Sequence, residues 1–379
     1  MEENKNKILN VPTLRFKNYD DNYREITLKD VCTLITKGTT PAKFSTNGIN
    51  FIKIDSLNGN YVDNSKVTHI NESIHNTLLS RSILEENDIL LAIAGATVGK
   101  HCIIQKSNLP ANTNQALAII RLNKHLLPYY LLAFFDTNYL PSYIKLICAA
   151  SAQPNLNLQQ VGQIKLNIPT IQEQEKVCHF IQLLDKRISV QNKIISKYET
   201  LIKGLCDKIF RHDKSVCLFD LVKCKASTLQ ENEVATYYNG KYNVFGASGI
   251  IASINKYQFE EDGILVLKDG SKAGKIQYAG GKYSVVGTSV VLIPNNAGDA
   301  RYLYFAMQSI DFDKYKVGSG IPHIYFKDYS CERIYYTNPA SRIRIAKALD
   351  AYETKVEIEK EMLSALQKQK AFLLQSMFI

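Results

Sequence analysis

The chain has 379 residues, a formal charge of +10 from 46 Lys and Arg against 36 Asp and Glu, and 45% hydrophobic residues. That composition excludes a disordered or collagen-like chain, and with no run of about 18 apolar residues a transmembrane helix is excluded as well. The length fits two or three domains, the positive balance fits nucleic acid better than a membrane, and the opening MEENKNKILN lacks a signal-peptide layout, so a cytoplasmic location is expected.

In chain order, short apolar runs at residues 49–54, 89–93 and 117–122, bounded by Gly, Asn and Pro, predict strands, and 130–135 predicts a helical patch. A long helix follows. Its apolar positions step by four and three through Val177, Ile181, Leu184, Ile188, Gln191, Ile195, Tyr198, Ile202, Leu205 and Ile209. The polar stretch 211–215 reads as a hinge. Strands at 264–267 and 290–293 and a helical patch at 302–307 then lead to a second long helix.

The second half repeats the first. ILLAIAGATVGK from Ile89 returns as ILVLKDGSKAGK from Ile264, keeping Gly95, Gly99 and Lys100 as Gly270, Gly274 and Lys275. ASAQPNL from Ala150 matches GSGIPHI from Gly318, displaced by 168 residues, and that offset continues ungapped to the ends of both halves. It places Ile345, Leu349, Tyr352, Val356, Glu359, Leu363, Leu366, Lys370, Leu373 and Met377 opposite the rungs of the first helix. Alternating 3-4 spacing over four heptads is a coiled-coil seam, because 3.5 residues per turn keeps one stripe facing a partner. Each helix spans about 33 residues, roughly 50 Å. Two separate amphipathic helices are the alternative. An antiparallel pairing would bring the polar rungs Gln191 and Glu359 together near the middle, where a buried polar pair can fix register.

The fold class expected is α/β or α+β: two similar bodies, residues 28–168 and 218–336, joined by two long antiparallel coiled-coil helices in a pseudo-twofold internal repeat.

The chemistry is sparse. The turn from Gly95 to Lys100 resembles a phosphate-binding loop, but such a loop needs Ser or Thr after the lysine and a helix N-terminus facing the phosphates. Here His101 and Ile276 follow, and the chain continues as a strand. This argues for a glycine turn between two strands, although an NTPase stays an alternative. A self-contained DNA methyltransferase is another; Phe245-Gly-Ala-Ser-Gly249 has the wrong glycine spacing for its cofactor motif, and Asn338-Pro-Ala-Ser341 lacks the second proline and the ring. The eight cysteines include no CxxC pair, and Cys206, His212, Cys217 and Cys224 fit no compact zinc pattern, so no metal is expected. The sequence reads as non-catalytic.

Several segments together resemble the specificity subunit of type I restriction–modification systems. They are Val11-Pro-Thr-Leu-Arg-Phe16 before Leu28-Lys-Asp-Val31, Ile168-Pro-Thr-Ile-Gln-Glu-Gln174 at the start of the first long helix, Tyr242-Asn-Val-Phe-Gly-Ala-Ser-Gly-Ile250, and the duplicated glycine turns. Pro339-Ala-Ser-Arg-Ile-Arg344 departs from the pattern by lacking Glu-Gln.

The resemblance implies a first target recognition domain over 1–168, a central long helix over 169–214 that spaces and docks partners, a second recognition domain over 215–337, and a pairing helix over 338–379. It also implies a protein that binds double-stranded DNA at a bipartite asymmetric site and catalyses nothing. Two methylation subunits would dock on it, with two restriction subunits as optional additions. No cofactor is expected on this chain; S-adenosylmethionine would sit on the methylation subunit. A coiled-coil adaptor unrelated to DNA is the remaining alternative.

Phosphates set position and base edges set sequence. The candidate DNA-binding residues are therefore Lys37, Thr39, Thr40, Lys43, Thr97, Lys100, Asn114, Gln115, Ser151 and Gln153 in the first body. In the second they are Lys241, Ser248, Lys268, Ser271, Lys272, Lys275, Ser319 and His323.

Overall fold

The computed structural model describes residues 11–149, 154–211, 215–234, 240–318 and 320–379. The chain divides into two compact units, Met1–Val190 with Leu363–Ile379, and Gln191–Met362.

In the first unit, four antiparallel strands lie in the order Cys32–Lys37, Leu117–Leu122, Ile89–Ala92 and His101–Ile103. Successive side chains of a strand point to opposite faces, and here both faces are covered. Ile89, Leu91, Ala118 and Ile120 enter one core while Leu90, Ala92, Leu117 and Ile119 enter another. That is why these strands read as unbroken apolar runs. The first core is closed by the helix Pro128–Phe135, by Val177 and Ile181, and by Leu374, Met377 and Phe378. Each fully buried Leu, Ile or Phe contributes about 1.5–3 kcal/mol, so the seam residues stabilise this body as well as the helix pair. A three-stranded sheet sets Ile49–Ile52 between antiparallel Thr68–Ile70 and parallel Ala111–Thr113. The strand expected over 49–54 stops at Ile52, because the Ser56 hydroxyl accepts the Lys53 N–H at 3.4 Å and starts a short 3-10 turn.

The second unit repeats this plan. Its main sheet orders Val222–Ala226, Ser289–Pro294, Gly263–Leu267 and Ile276–Ala279, again antiparallel. Its smaller sheet sets Tyr242–Gly246 between antiparallel Gly249–Ile254 and parallel Tyr283–Val285. The helix Ala300–Met307 takes the place of Pro128–Phe135. On it, Arg301 pairs with Asp350 and, at 2.5 Å, with Glu353 of the second long helix.

The long helices are Ile171–Phe210 (40 residues) and Pro339–Met377 (39 residues), longer than their seams because each begins several residues before the first rung. All ten rungs of the first are buried or half-buried, and in the second only Tyr352 is exposed. In the second unit Gln191 bonds Glu359 while Cys206, further along, lies beside the charge of Glu353, so the two segments run antiparallel. The first unit holds Asp185 against Lys370 at 2.7 Å.

Both helices start on the same device built from different side chains. Gln174 donates to the Pro169 and His125 carbonyls, each at 3.1 Å, and accepts the Leu127 N–H at 2.9 Å. Arg342, its equivalent 168 residues on, donates to the Thr337 carbonyl at 2.5 Å and to Asp299 at 2.8 Å. Glu173 is 1% exposed and takes both branches of the Arg15 guanidinium at 2.8 Å plus the Tyr23 hydroxyl at 3.0 Å. A carboxylate that deep needs such partners. The departure at 339–344 is thus a change of partner, from an amide to an arginine–aspartate pair.

Candidate nucleic-acid interface

The two glycine turns have one backbone. In the first, Gly99 N–H donates to Ala92 (2.9 Å), Ala92 N–H to Lys100 (2.7 Å) and Lys100 N–H to Thr97 (3.1 Å). In the second, Gly274 N–H donates to Leu267 (2.8 Å), Leu267 N–H to Lys275 (2.9 Å) and Lys275 N–H to Lys272 (3.0 Å). Gly95, Gly99, Gly270 and Gly274 all adopt positive φ, between 87° and 95°, a region that costs other residues. Each turn joins two strands of the main sheet, and no helix begins at either, so neither offers the helix N-terminus of a nucleotide-binding loop.

A second loop docks on each turn through the same bond. Leu156 N–H donates to Ile93 at 2.8 Å, and Ile324 N–H to Lys268 at 2.9 Å. The second body adds Gly270 N–H to Pro322 at 2.9 Å, and a Val317–His323 pair that bonds in both directions at 2.9 and 2.8 Å. Each body therefore presents a hydrogen-bonded turn with a later segment bonded beside it at Leu156 or Ile324, and with exposed polar side chains on the turn.

In the first body, Thr40 gives its N–H and hydroxyl to Gln115 Oε1 at 3.1 and 2.7 Å. Thr39 accepts from Arg81 at 3.2 Å, and Gly38 N–H reaches Asn114 at 3.2 Å. Asn114 Oδ1 is occupied by the Ala116 N–H at 3.1 Å, and Ala116 in turn accepts Ile93 N–H at 2.9 Å. These bonds set Thr39, Thr40, Asn114 and Gln115 next to the start of the glycine turn, with Lys37 and Lys43 exposed nearby in sequence. Thr97 is exposed, whereas Lys100 is half-buried with Nζ on the Ile54 carbonyl at 3.3 Å. Ser151 and Gln153 lie outside the described residues.

In the second body, Asp269 holds Lys268 at 3.0 Å and His323 Nδ1 at 2.8 Å. Partial burial alone would raise this carboxyl, but the bonds from His323 and Lys268 bring it below the usual range. Ser271, Lys272 and Lys275 are exposed on the turn. Ser248 is exposed at a hairpin tip that Gln277 ties to the main sheet by donating to Gly246 at 2.9 Å. Lys241 stands at the other end of that hairpin, beside Asn255, and is not gathered with the rest. Ser319 lies outside the described residues.

Sequence reasoning missed Arg81 and Asp269. Arg81 meets Thr39 across 42 residues, and no local pattern marks that contact. Asp269 does sit inside the repeated segment, as the residue before Gly270, and could have been found there.

Three comparisons bear on this arrangement. The family described as "Type I restriction modification DNA specificity domain" matches residues 20–200 and again 214–368. Among curated relatives, the putative type I restriction enzyme MjaX specificity subunit of Methanocaldococcus jannaschii is 26% identical over 261 residues, covering 66% of this chain and 59% of the relative. The type I restriction enzyme EcoBI specificity subunit of Escherichia coli is 25% identical over 171 residues, covering 43% of this chain and 35% of the relative. The chain thus spans 59% of the first relative's length and 35% of the second's.

Among solved structures, the S subunit of a type I restriction-modification system from M. genitalium superposes with a TM-score of 0.63 at 17% identity, over 97% of this chain and 99% of that one. A chain from a study of complex assembly and conformational transition in the type I R-M system gives 0.55 at 13% identity, over 94% and 97%. These share the fold. With one family matching both bodies in the order the internal repeat sets out, this chain belongs to the type I restriction–modification DNA specificity family.

Proposed function

We propose that this chain is the non-catalytic DNA-reading subunit of a type I restriction–modification complex. Each body reads one half of a bipartite, asymmetric site, and the helix pair spaces the bodies and docks two methylation subunits, with restriction subunits as additional partners. S-adenosylmethionine and the methyl transfer belong to the methylation subunit.

One observation carries the reading: the same turn is built twice on one backbone plan, each with a later segment bonded to it at the equivalent residue, and with different side chains at the tip. Ala96 and Thr97 stand in one copy where Ser271 and Lys272 stand in the other, while Lys100 and Lys275 are shared. Two copies of one reader with unlike tips suit two unlike half-sites. Lysines at both tips suit phosphate.

Co-expression with a methylation subunit, followed by sequencing of methylated adenines, tests this. A two-part motif with unlike halves and a fixed gap is expected. Methylation that does not depend on this chain, or a palindromic motif, overturns it.

A further inference from the structure

In the first unit the residue after the turn lysine enters a buried ionic cluster. His101 Nδ1 lies 2.8 Å from the Gly99 carbonyl and Nε2 lies 3.2 Å from Asp136 Oδ1, so the ring bridges the turn and the carboxylate. Asp136 Oδ2 receives Asn60 at 2.8 Å and Lys370 Nζ at 3.1 Å, and Lys370 also meets Asp185 at 2.7 Å. Lys370 thus bridges two carboxylates at a site where His101 is 10% and Lys370 15% exposed. Burial alone would raise the Asp136 carboxyl, but the His101 bond, the Lys370 charge and the Asn60 amide bring it down to about 2.

The second unit keeps the turn, and no equivalent cluster stands at it among the described residues. Ile276 stands where His101 does, and beside it a cavity of about 360 Å³ is lined by Lys203, Cys206, Gly274, Met307 and Gln308.

We infer that His101 is a positioning residue for the first reader, latching the glycine turn at the Gly99 carbonyl and tying it through Asp136 to Lys370 and Asp185 on the long helices. The inference rests on the DNA-reading function proposed above. The turn carries Thr97 and Lys100 at its rim, so a latch on Gly99 fixes the side chains that meet the duplex. Among the described residues, the second reader holds its turn without a histidine link of this kind. Discrimination at the first half-site should therefore depend on the His101 link, and discrimination at the other should not.

The test uses the full chain with its methylation subunit on sites randomised in one half at a time. His101→Ile installs the residue the second body carries at the same turn, so the fold is preserved if Asp136→Asn alone proves unstable. Discrimination at the half-site of the first body should fall about tenfold in either variant, the scale of one charge-assisted bond. It should fall no further in the double variant, and the other half-site should stay within about twofold. Equal loss at both half-sites, or undiminished discrimination with His101→Ile, overturns the latch. If the unaltered chain directs no site-specific methylation, the reading beneath it has failed and the latch falls with it.

Discussion

The side-chain amide of Gln191 donates to the Glu359 carbonyl at 3.0 Å and also reaches its carboxylate, and the two residues stand 168 apart, at the same place in the two repeats. Each is the fifth rung of its seam. Both are buried, and Lys355 closes the other carboxylate oxygen at 2.8 Å. Polar rungs in an apolar seam lower stability and exclude slipped registers, since a shift would leave an amide and a carboxylate facing hydrocarbon. The double variant Gln191→Leu with Glu359→Leu should melt roughly 3 °C higher by calorimetry and lose its unique register. Cross-linking between cysteines placed on the two helices reads the register. A single unchanged cross-link pattern would show that the pair specifies nothing.

The glycine turns predict a graded series. A Cβ at Gly99 would come 2.7 Å from Ile144 Cδ1, and one at Gly274 would come 2.5 Å from Phe312 Cβ, whereas Gly95 and Gly270 have nothing within 4 Å. Alanine at Gly95 or Gly270 should cost about 1 kcal/mol, for positive φ alone. Alanine at Gly274 should cost about 2–4 kcal/mol, because overpacking against the base of Phe312 is added, and Gly99 should fall between, because the Ile144 methyl tip can swing aside. Urea denaturation of the four variants decides, and equal costs would refute the steric part.

Lys275 is exposed on its turn and Lys100 is bonded to Ile54, so the equal roles expected for them separate into a ready contact and one that must first release a carbonyl. Lys275→Ala should shallow the log–log salt dependence of DNA affinity by about one unit. Lys100→Ala should do the same and also lower stability by about 1 kcal/mol, through the lost Ile54 bond. Binding curves across a salt series, paired with urea melts, test both.

Asp136 sets an acid limit. Its carboxyl is depressed to about 2 from an ordinary value of 3.8, so the folded state binds its proton more weakly than the unfolded chain does. The resulting stability is fully present above about pH 4 and is lost as pH falls through about 2, a contribution on the order of 2 kcal/mol. Lys370→Met should raise that carboxyl and cost about 3 kcal/mol at neutral pH, as for a buried pair deprived of one partner. A urea series from pH 2 to pH 7 should show the variant with a flatter acid limb.

What could be read from residues alone was local or periodic. The Gly-Lys turns, the 168-residue offset and the heptad rungs each lie within a few residues or recur at a fixed step, so the repeat, the strands at 89–93 and 264–267 and the helix pair were legible. The smaller sheets were not, because Ile49–Ile52 finds its parallel partner Ala111–Thr113 across some sixty residues of unrelated sequence. Lys370 looked like a gap in the seam. Its partner Asp136 is 234 residues away, and only the folded unit shows the lysine to be as well satisfied as a leucine would be. Of the candidate interface, the turns were visible as motifs and Asp269 lay unread beside one of them, while Arg81, which holds Thr39, had no local signal.

The bond from Leu14 N–H to the Ser376 carbonyl, 2.9 Å long, has a consequence for the order of events during synthesis. Leu374, Met377 and Phe378 belong to the same core as Ile26, Leu28 and Val31. The unit translated first therefore waits for residues Leu363–Ile379, while the unit spanning Gln191–Met362 has all its parts sooner. A nascent chain stalled before residue 363 would expose an unfilled apolar surface on its older half, the kind that chaperones hold. The older unit is thus completed after the younger one.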